Sequence, residues 1–320
     1  MRVLFIGCGS IGLRHIGILR QIDPKLEIIA YRTSTTNSDL LDKLGVVYYT
    51  SLNEAFTKKL DAVFVTNPSS EHVKTILKVK DHTNYIFVEK PLSTNLNHAS
   101  ELSSLKNIFL IGYSLRYHPV LTKVKELVDS GVLGRLIYAE ASVGQYLPYW
   151  RPNIDYRKSH TAKKELSGST LLELSHELDY LCWLIGYPSE LFCRSGKFSD
   201  LEIETDDIVE VIISFDNSTI ARIHLDLLLR KPSRTGRIIG TKGDISFDIL
   251  NGSVELNTGT TETFHFKEYD MYTTQMKHFL NIVNGKAKPL VTLSEGLNVL
   301  KLAIAAQHSS EKNKVVEVKL

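Results

Sequence analysis

A lysine, a histidine and a glycine-rich turn carry the chemistry that can be read from this chain. Lys90 closes the run Phe87-Val88-Glu89-Lys90-Pro91, where an apolar strand ends in charge. The proline denies the strand a further ladder bond and restricts the residue before it, so Lys90 is expected to be held at the strand's carboxyl end. An amine held there is a candidate acid or base, although a lysine at a strand end is more often simply solvated. His176 lies in Glu173-Leu174-Ser175-His176-Glu177-Leu178-Asp179. Residues 168–185 read as one long helix closed by Gly186 and Pro188, and on it Glu173, His176 and Asp179 step by three and share a face. A carboxylate beside an imidazole orients it and stabilises its protonated form, while the ordinary alternative is a solvated stripe.

The turn Gly7-Cys8-Gly9-Ser10-Ile11-Gly12 follows the apolar run Val3 to Ile6 and precedes a helical stripe of Leu13, Ile16, Ile18, Leu19 and Ile22. Strand, G-x-G-x-x-G and helix in that order point to a dinucleotide. Gly7 permits the tight turn, Gly9 lets a pyrophosphate approach the backbone, and Gly12 lets the helix press on the strand. The free N–H groups and the positive end of the helix, at Ser10 and Ile11, face the phosphates. About twenty residues further on, where an NAD-selective site places an acid, the chain has Tyr31-Arg32-Thr33-Ser34. An arginine flanked by hydroxyls suits a 2′-phosphate, so the expected cofactor is NAD(P), leaning to NADP, against the plainer reading of a solvated arginine. In Thr66-Asn67-Pro68-Ser69-Ser70-Glu71-His72, Pro68 stops a strand and Ser69 or Ser70 is expected to cap a helix carrying His72. This loop would lie beside the glycine turn, so Asn67, Pro68 and His72 join the cofactor candidates.

These residues need two kinds of scaffold. Short apolar runs at Arg2 to Ile6, Glu27 to Tyr31, Val46 to Tyr49, Ala62 to Thr66, Tyr85 to Val88 and Ile108 to Gly112 alternate with helical patterns. That alternation predicts an α/β architecture, an N-terminal doubly wound Rossmann domain over residues 1–118. From about Leu136 longer β-rich runs follow, with hairpin turns at Asn217-Ser218 and Asn251-Gly252. They predict a C-terminal α+β domain over residues 119–320 with an open, mostly antiparallel sheet, whose last helices are placed to pack back on the first domain. Tyr146, Tyr149, Trp150, Arg151, Asp155, Tyr156, Arg157, Ser159 and His160 crowd one loop. Aromatic faces with Arg and His donors suit a hydroxylated sugar bearing a carboxylate or phosphate, with Tyr146, Arg157 and His160 as its contacts; the alternative is that the rings cap a core.

Composition bounds the partners. In 320 residues, 38 Lys and Arg nearly cancel 36 Asp and Glu, and no long basic run appears, so neither nucleic acid nor membrane is expected and small molecules are. Three cysteines without C-x-x-C spacing argue against a disulfide framework or a metal site and fit a reducing compartment. The chain opens on a strand instead of a leader, and no apolar stretch reaches the roughly 18 residues of a membrane span, so a cytoplasmic location is expected.

The glycine turn, TNPSSEH and EKP, in that order, resemble the glucose-fructose oxidoreductase, inositol dehydrogenase and rhizopine-catabolism (Gfo/Idh/MocA) family over essentially the whole chain. Gly112-Tyr113-Ser114-Leu115-Arg116-Tyr117-His118-Pro119 resembles the family's segment after the sixth strand, and Gly131-Val132-Leu133-Gly134 its entry to the second domain. The resemblance implies that Lys90 is catalytic, that Pro91 lies close to the nicotinamide, and that Glu89 and Arg116 belong with the cofactor contacts. It implies a helix bearing an Asp and, four residues later, a His that faces the lysine across the cleft. Here the acid is Glu173, three residues before His176, and Leu172 holds the strict position. It further implies hydride transfer between nicotinamide C4 and a secondary alcohol or ketone of a sugar, inositol or sugar derivative, with Lys90, Glu173 and His176 touching substrate. A homodimer or homotetramer through the second sheet follows from the same resemblance. Within the family the alternatives are a non-catalytic dinucleotide-binding sensor or regulator and a redox-assisted, NAD-dependent glycosidase.

Overall fold

A computed structural model describes residues 1–33, 38–151, 153–166 and 168–320, so Ser34 lies outside the described residues. The chain divides into two compact units. One comprises Met1–Tyr117 with Glu268–Leu297, the other His118–Lys267 with Asn298–Leu320.

In the first unit six parallel strands, β1 (Arg2–Ile6), β2 (Glu27–Tyr31), β3 (Val47–Tyr49), β4 (Ala62–Val65), β5 (Tyr85–Val88) and β6 (Ile108–Ile111), lie in the order β3-β2-β1-β4-β5-β6. The strands are near-continuous apolar runs because helices cover both faces of such a sheet. Val3, Leu4, Phe5, Val63, Phe64, Phe87 and Leu110 are all buried, and Phe5 stacks on Phe64 at 4.4 Å. The helices between the strands are α1 (Ser10–Ile22), α2 (Ser38–Lys43), α3 (Leu52–Phe56), α4 (His72–Val79) and α5 (Ala99–Ser103). Strand order reverses between β1 and β4, which makes the loops at their carboxyl ends neighbours. The serine cap expected before His72 does not form. Ser69–Glu71 is a 3₁₀ turn begun at Pro68, and α4 starts after Glu71 without a side-chain cap.

The second unit is built on a nine-stranded mixed sheet, mostly antiparallel, of β7 (Leu136–Gly144), β8 (Glu190–Gly196), β9 (Ile208–Ser214), β10 (Ile220–Asp226), β11 (Ser233–Gly240), β12 (Asp244–Asp248), β13 (Ser253–Leu256), β14 (Thr261–Thr263) and β15 (Val316–Glu317). Their order is β14-β13-β12-β11-β7-β10-β9-β8-β15, with β7 and β10 parallel. Period-2 alternation gives it two faces. Val209, Val211, Ile213, Ala221, Ile223, Leu225, Ala139 and Ala141 are buried on one, while Ile212, Ile220 and Arg222 are exposed on the other. Helices α6 (Pro119–Asp129), α7 (Leu147–Trp150), α8 (Thr170–Glu173) and α9 (His176–Ile185) belong to this unit. α10 (Asp270–Val283) returns to the first unit, where it packs on α1 and buries Met276, Phe279 and Ile282, and α11 (Leu293–Lys312) follows.

The single helix expected over residues 168–185 is broken. α8 stops at Glu173, Leu174 and Ser175 form an irregular step, and α9 begins at His176. Glu173 and His176 therefore belong to different helices, and the three-residue step does not place them on one helical face. β-Branched and polar residues around Ser169, Thr170 and Ser175 favour caps and turns over helix interiors, which is why the pattern yields two short pieces.

Candidate active site

The glycine turn has the geometry its spacing dictates. Gly7 adopts φ +104°, and a Cβ there would lie 2.4 Å from the Asn67 nitrogen. A Cβ on Gly12 would meet the Gly7 carbonyl oxygen at 2.3 Å, so α1 enters in direct contact with the turn. Gly9 differs: it is exposed, extended in backbone, and a Cβ on it would meet nothing within 4 Å. The missing side chain leaves open space over the start of α1, where Ser10 is exposed and Ile11 half-buried. The first turn of α1 has neither a side-chain cap nor an acid, so its amides face that space. This is the cradle a pyrophosphate requires.

The neighbouring loop is tied to the turn and to the strand end that carries Lys90. Thr66 Oγ1 donates to the Gly7 carbonyl at 2.6 Å, and Asn67 Nδ2 donates to Thr75 Oγ1 at 2.9 Å. Asn67 Oδ1 is buried with no donor among the described residues, an acceptor left for a ligand. The His72 imidazole is buried between two main-chain carbonyls, 2.8 Å from Asn67 O and 3.0 Å from Pro91 O. Burial pushes it below its ordinary value, and a neutral ring has one N–H for the two acceptors. His72 thus clamps the loop after β4 to the loop after β5 and reaches no solvent itself. The exposed Pro68 forms the loop's outer surface.

Lys90 is half-buried and Pro91 buried beyond β5, with a cis peptide between them. The Glu89 carboxylate turns inward: Oε1 lies 2.6 Å from His15 Nε2, and Oε2 accepts the Lys90 N–H at 3.1 Å. Arg32 is buried with its guanidinium 5.1 Å over the Tyr48 ring, and Thr33 is exposed. Cys8, in the glycine turn, has its thiol pushed up to about 11 by burial, against the lowering effect of the Arg32 charge. Arg116 is buried, bonded to Glu295 at 2.7 Å and to the Leu290 carbonyl at 3.1 Å. It joins the 3₁₀ turn Ser114–Tyr117 to the start of α11.

In the second unit His176 opens α9 and is half-buried, with its Nδ1 atom buried. Glu173 is half-buried at the end of α8, and Leu172 is buried in the core. The residue after His176 is fully buried Glu177, gripped by Arg234 of β11. Tyr146 stacks beneath the Arg230 guanidinium at 3.4 Å and meets Tyr149 edge-on. Arg157 is exposed and engaged by Asp155 and Glu202. His160 is half-buried, with Nε2 buried and lacking a hydrogen-bond partner among the described residues. His15, Thr75, Glu177 and Arg234 are not among the candidates that the sequence motifs single out. His15 alone had a local signal, as a polar residue inside the apolar stripe of α1.

Residues 1–107 match the oxidoreductase family described as having an NAD-binding Rossmann fold, and residues 121–246 match the GFO/IDH/MocA C-terminal domain. The chain belongs to the Gfo/Idh/MocA oxidoreductase family. Among its curated relatives, the myo-inositol 2-dehydrogenase of Thermotoga maritima is 26% identical, across 99% of this chain and 98% of that protein. The 2,7-anhydro-N-acetylneuraminate hydratase of Mediterraneibacter gnavus is 23% identical, across 77% of this chain and 70% of the relative. A levoglucosan dehydrogenase solved with NADH and levoglucosan shares the fold of this family member, at TM-score 0.89 and 16% identity over all of both chains. No helix among the described residues is long and apolar enough to cross a membrane.

Proposed function

We propose that this chain is an NAD(P)-dependent dehydrogenase that moves a hydride between nicotinamide C4 and a secondary alcohol or ketone carbon of a cyclic polyol, sugar or sugar derivative. The observation that carries the reading is the cradle: open space at Gly9 over uncapped α1 amides, beside a loop whose buried Asn67 Oδ1 awaits a donor. When bound there, the dinucleotide supplies the hydride chemistry. Gly7, Gly9, Ser10, Ile11 and Gly12 would hold its pyrophosphate, and Asn67, Pro68, His72, Glu89 and Pro91 would shape the nicotinamide end, some of them through other residues. Arg116, held by Glu295 and the Leu290 carbonyl, would join these cofactor contacts.

Lys90 would hydrogen-bond the substrate oxygen and stabilise its negative charge, and His176 would take the hydroxyl proton during oxidation. Glu173 would assist His176, and Tyr146, Arg157 and His160 would contact the sugar. The inositol dehydrogenase relative supports a polyol substrate. Myo-inositol, levoglucosan and related polyols with NAD⁺ or NADP⁺ provide the test, following nicotinamide absorbance. Lys90→Met and His176→Ala should each lower turnover about 10²-fold or more, and near-normal turnover in either removes its assignment.

For coenzyme choice, the buried Arg32 and the exposed Thr33 support a place for a 2′-phosphate, and the reading leans to NADP. An Arg32→Asp variant whose NADP⁺ to NAD⁺ preference is unchanged would remove this part. The hydratase relative supports a second reading, a redox-assisted reaction without net cofactor turnover. In that case product forms from an anhydrosugar while nicotinamide absorbance stays constant.

The assembly proposed is a homodimer or homotetramer through the exposed face of the second sheet. Exposed Ile212 and Ile220, at 52% and 51%, support it, and a stable monomer by light scattering would refute it. Three reduced thiols fit a cytoplasmic setting.

A further inference from the structure

Two buried titratable side chains, His15 and Glu89, have no part in the proton transfers above, yet they join the helix that starts at the phosphate turn to the strand end bearing the amine. His15 is 0% exposed on the inner face of α1, and its Nε2 lies 2.6 Å from Glu89 Oε1. The second carboxylate oxygen accepts the main-chain N–H of Lys90 at 3.1 Å. An ionised carboxylate only accepts, so His15 Nε2 carries the hydrogen and Glu89 serves two donors at once.

The surroundings leave the pair little freedom. The His15 ring meets Phe87 and Tyr272 edge-on, at 5.2 and 5.9 Å between centroids. A Cβ on Gly112 would lie 3.0 Å from Glu89 Oε2, so the glycine clears the space the carboxylate occupies. His15 Nδ1 is buried with no partner among the described residues, so the ring has one productive orientation, the one that faces Glu89. The phenol of Tyr272 is pushed up by burial and then by the charge of Glu89, in keeping with a carboxylate aimed into this interior.

Building on the role proposed for Lys90, we propose that His15 and Glu89 form a positioning couple: anchored on α1, Glu89 fixes the main chain at Lys90 and so aims the amine. The helix whose first turn faces the dinucleotide phosphates would thereby also set the group that handles the proton. Neither residue touches substrate.

The test compares His15→Phe, which keeps a planar ring and removes the hydrogen bond, with His15→Gln, whose amide nitrogen can take the place of Nε2. Glu89→Gln is the third variant, because one carbonyl oxygen cannot serve both donors. His15→Phe should lower kcat about 10- to 100-fold, leave KM for the dinucleotide within about threefold, and lose most of that defect on conversion to His15→Gln. In cofactor-free protein labelled with ¹⁵N-lysine, the Lys90 amide should exchange at least about tenfold faster in His15→Phe and Glu89→Gln than in the wild type. Full kcat in His15→Phe, no recovery in His15→Gln, or unchanged exchange at Lys90 would overturn the couple. If the wild type turns over none of the substrates, the dehydrogenase reading fails, and the Lys90 exchange measurement alone still decides this proposal.

Discussion

Arg234 and Glu177 meet fork to fork, Nε to Oε1 at 2.7 Å and Nη2 to Oε2 at 2.9 Å, with the Glu177 carboxylate fully buried. Glu177 directly follows His176, so the pair pins the first turn of α9 to β11. A buried pair of this kind contributes little net stability, because desolvation offsets its Coulombic attraction, but removing one partner strands a charge. Glu177→Ala should therefore destabilise the protein by about 3–5 kcal/mol, while Glu177→Leu combined with Arg234→Met should recover most of that loss. Urea unfolding of Glu177→Leu, Arg234→Met and the double variant measures the coupling.

The glycines of the turn should separate fold from binding. A Cβ at Gly9 would meet nothing within 4 Å beyond its chain neighbours, so Gly9→Val should change stability by only about 0.5 kcal/mol, yet it would fill the space over α1 and weaken dinucleotide binding at least about tenfold. At Gly12 the same side chain would strike the Gly7 carbonyl 2.3 Å away, so Gly12→Val should compromise folding. Thermal unfolding and fluorescence titration with NADH distinguish the two outcomes.

Two histidines of the second unit should make stability depend on pH in opposite directions. Burial, and then the Arg234 charge, push His118 down to about 4. As pH falls below the unfolded value of about 6.5, the unfolded chain takes up the proton first, so stability drops by up to about 1.4 kcal/mol per pH unit until the folded value is reached. His224 is raised, first by its hydrogen bond to Asp226 and also by Glu210. Its contribution is fully present below about 6.5 and is lost as pH rises through its folded value. Unfolding free energies across this range should show a flatter acid limb in His118→Gln. His224→Gln should lose most stability at mildly acid pH and little at alkaline pH.

Much of the first unit was legible because its central strands β1, β4 and β5 are buried almost along their whole length and announce themselves as short apolar runs, while the edge strand β3 exposes Val47 and Tyr48. The glycine turn was legible for a different reason: three positions there tolerate no side chain, or leave room for a ligand. The second unit was harder. β14 and β15 are three and two residues long, and residues 168–185 carry a helical pattern that breaks at Leu174 and Ser175. What holds the catalytic candidates in place was not legible at all. His15 finds Glu89 74 positions away and Glu177 finds Arg234 57 positions away, contacts that only the fold creates.

The account stands on hydride transfer at the nicotinamide, and isotope transfer reads that step directly. Myo-inositol and levoglucosan deuterated at their carbinol carbons would be incubated with the protein and NAD⁺ or NADP⁺, and the nicotinamide analysed by mass spectrometry. The account predicts deuterium at nicotinamide C4 with at least one of these substrates and a large loss of transfer in Lys90→Met. Nicotinamide that remains unlabelled with every substrate, under conditions where the dinucleotide is bound, would contradict it.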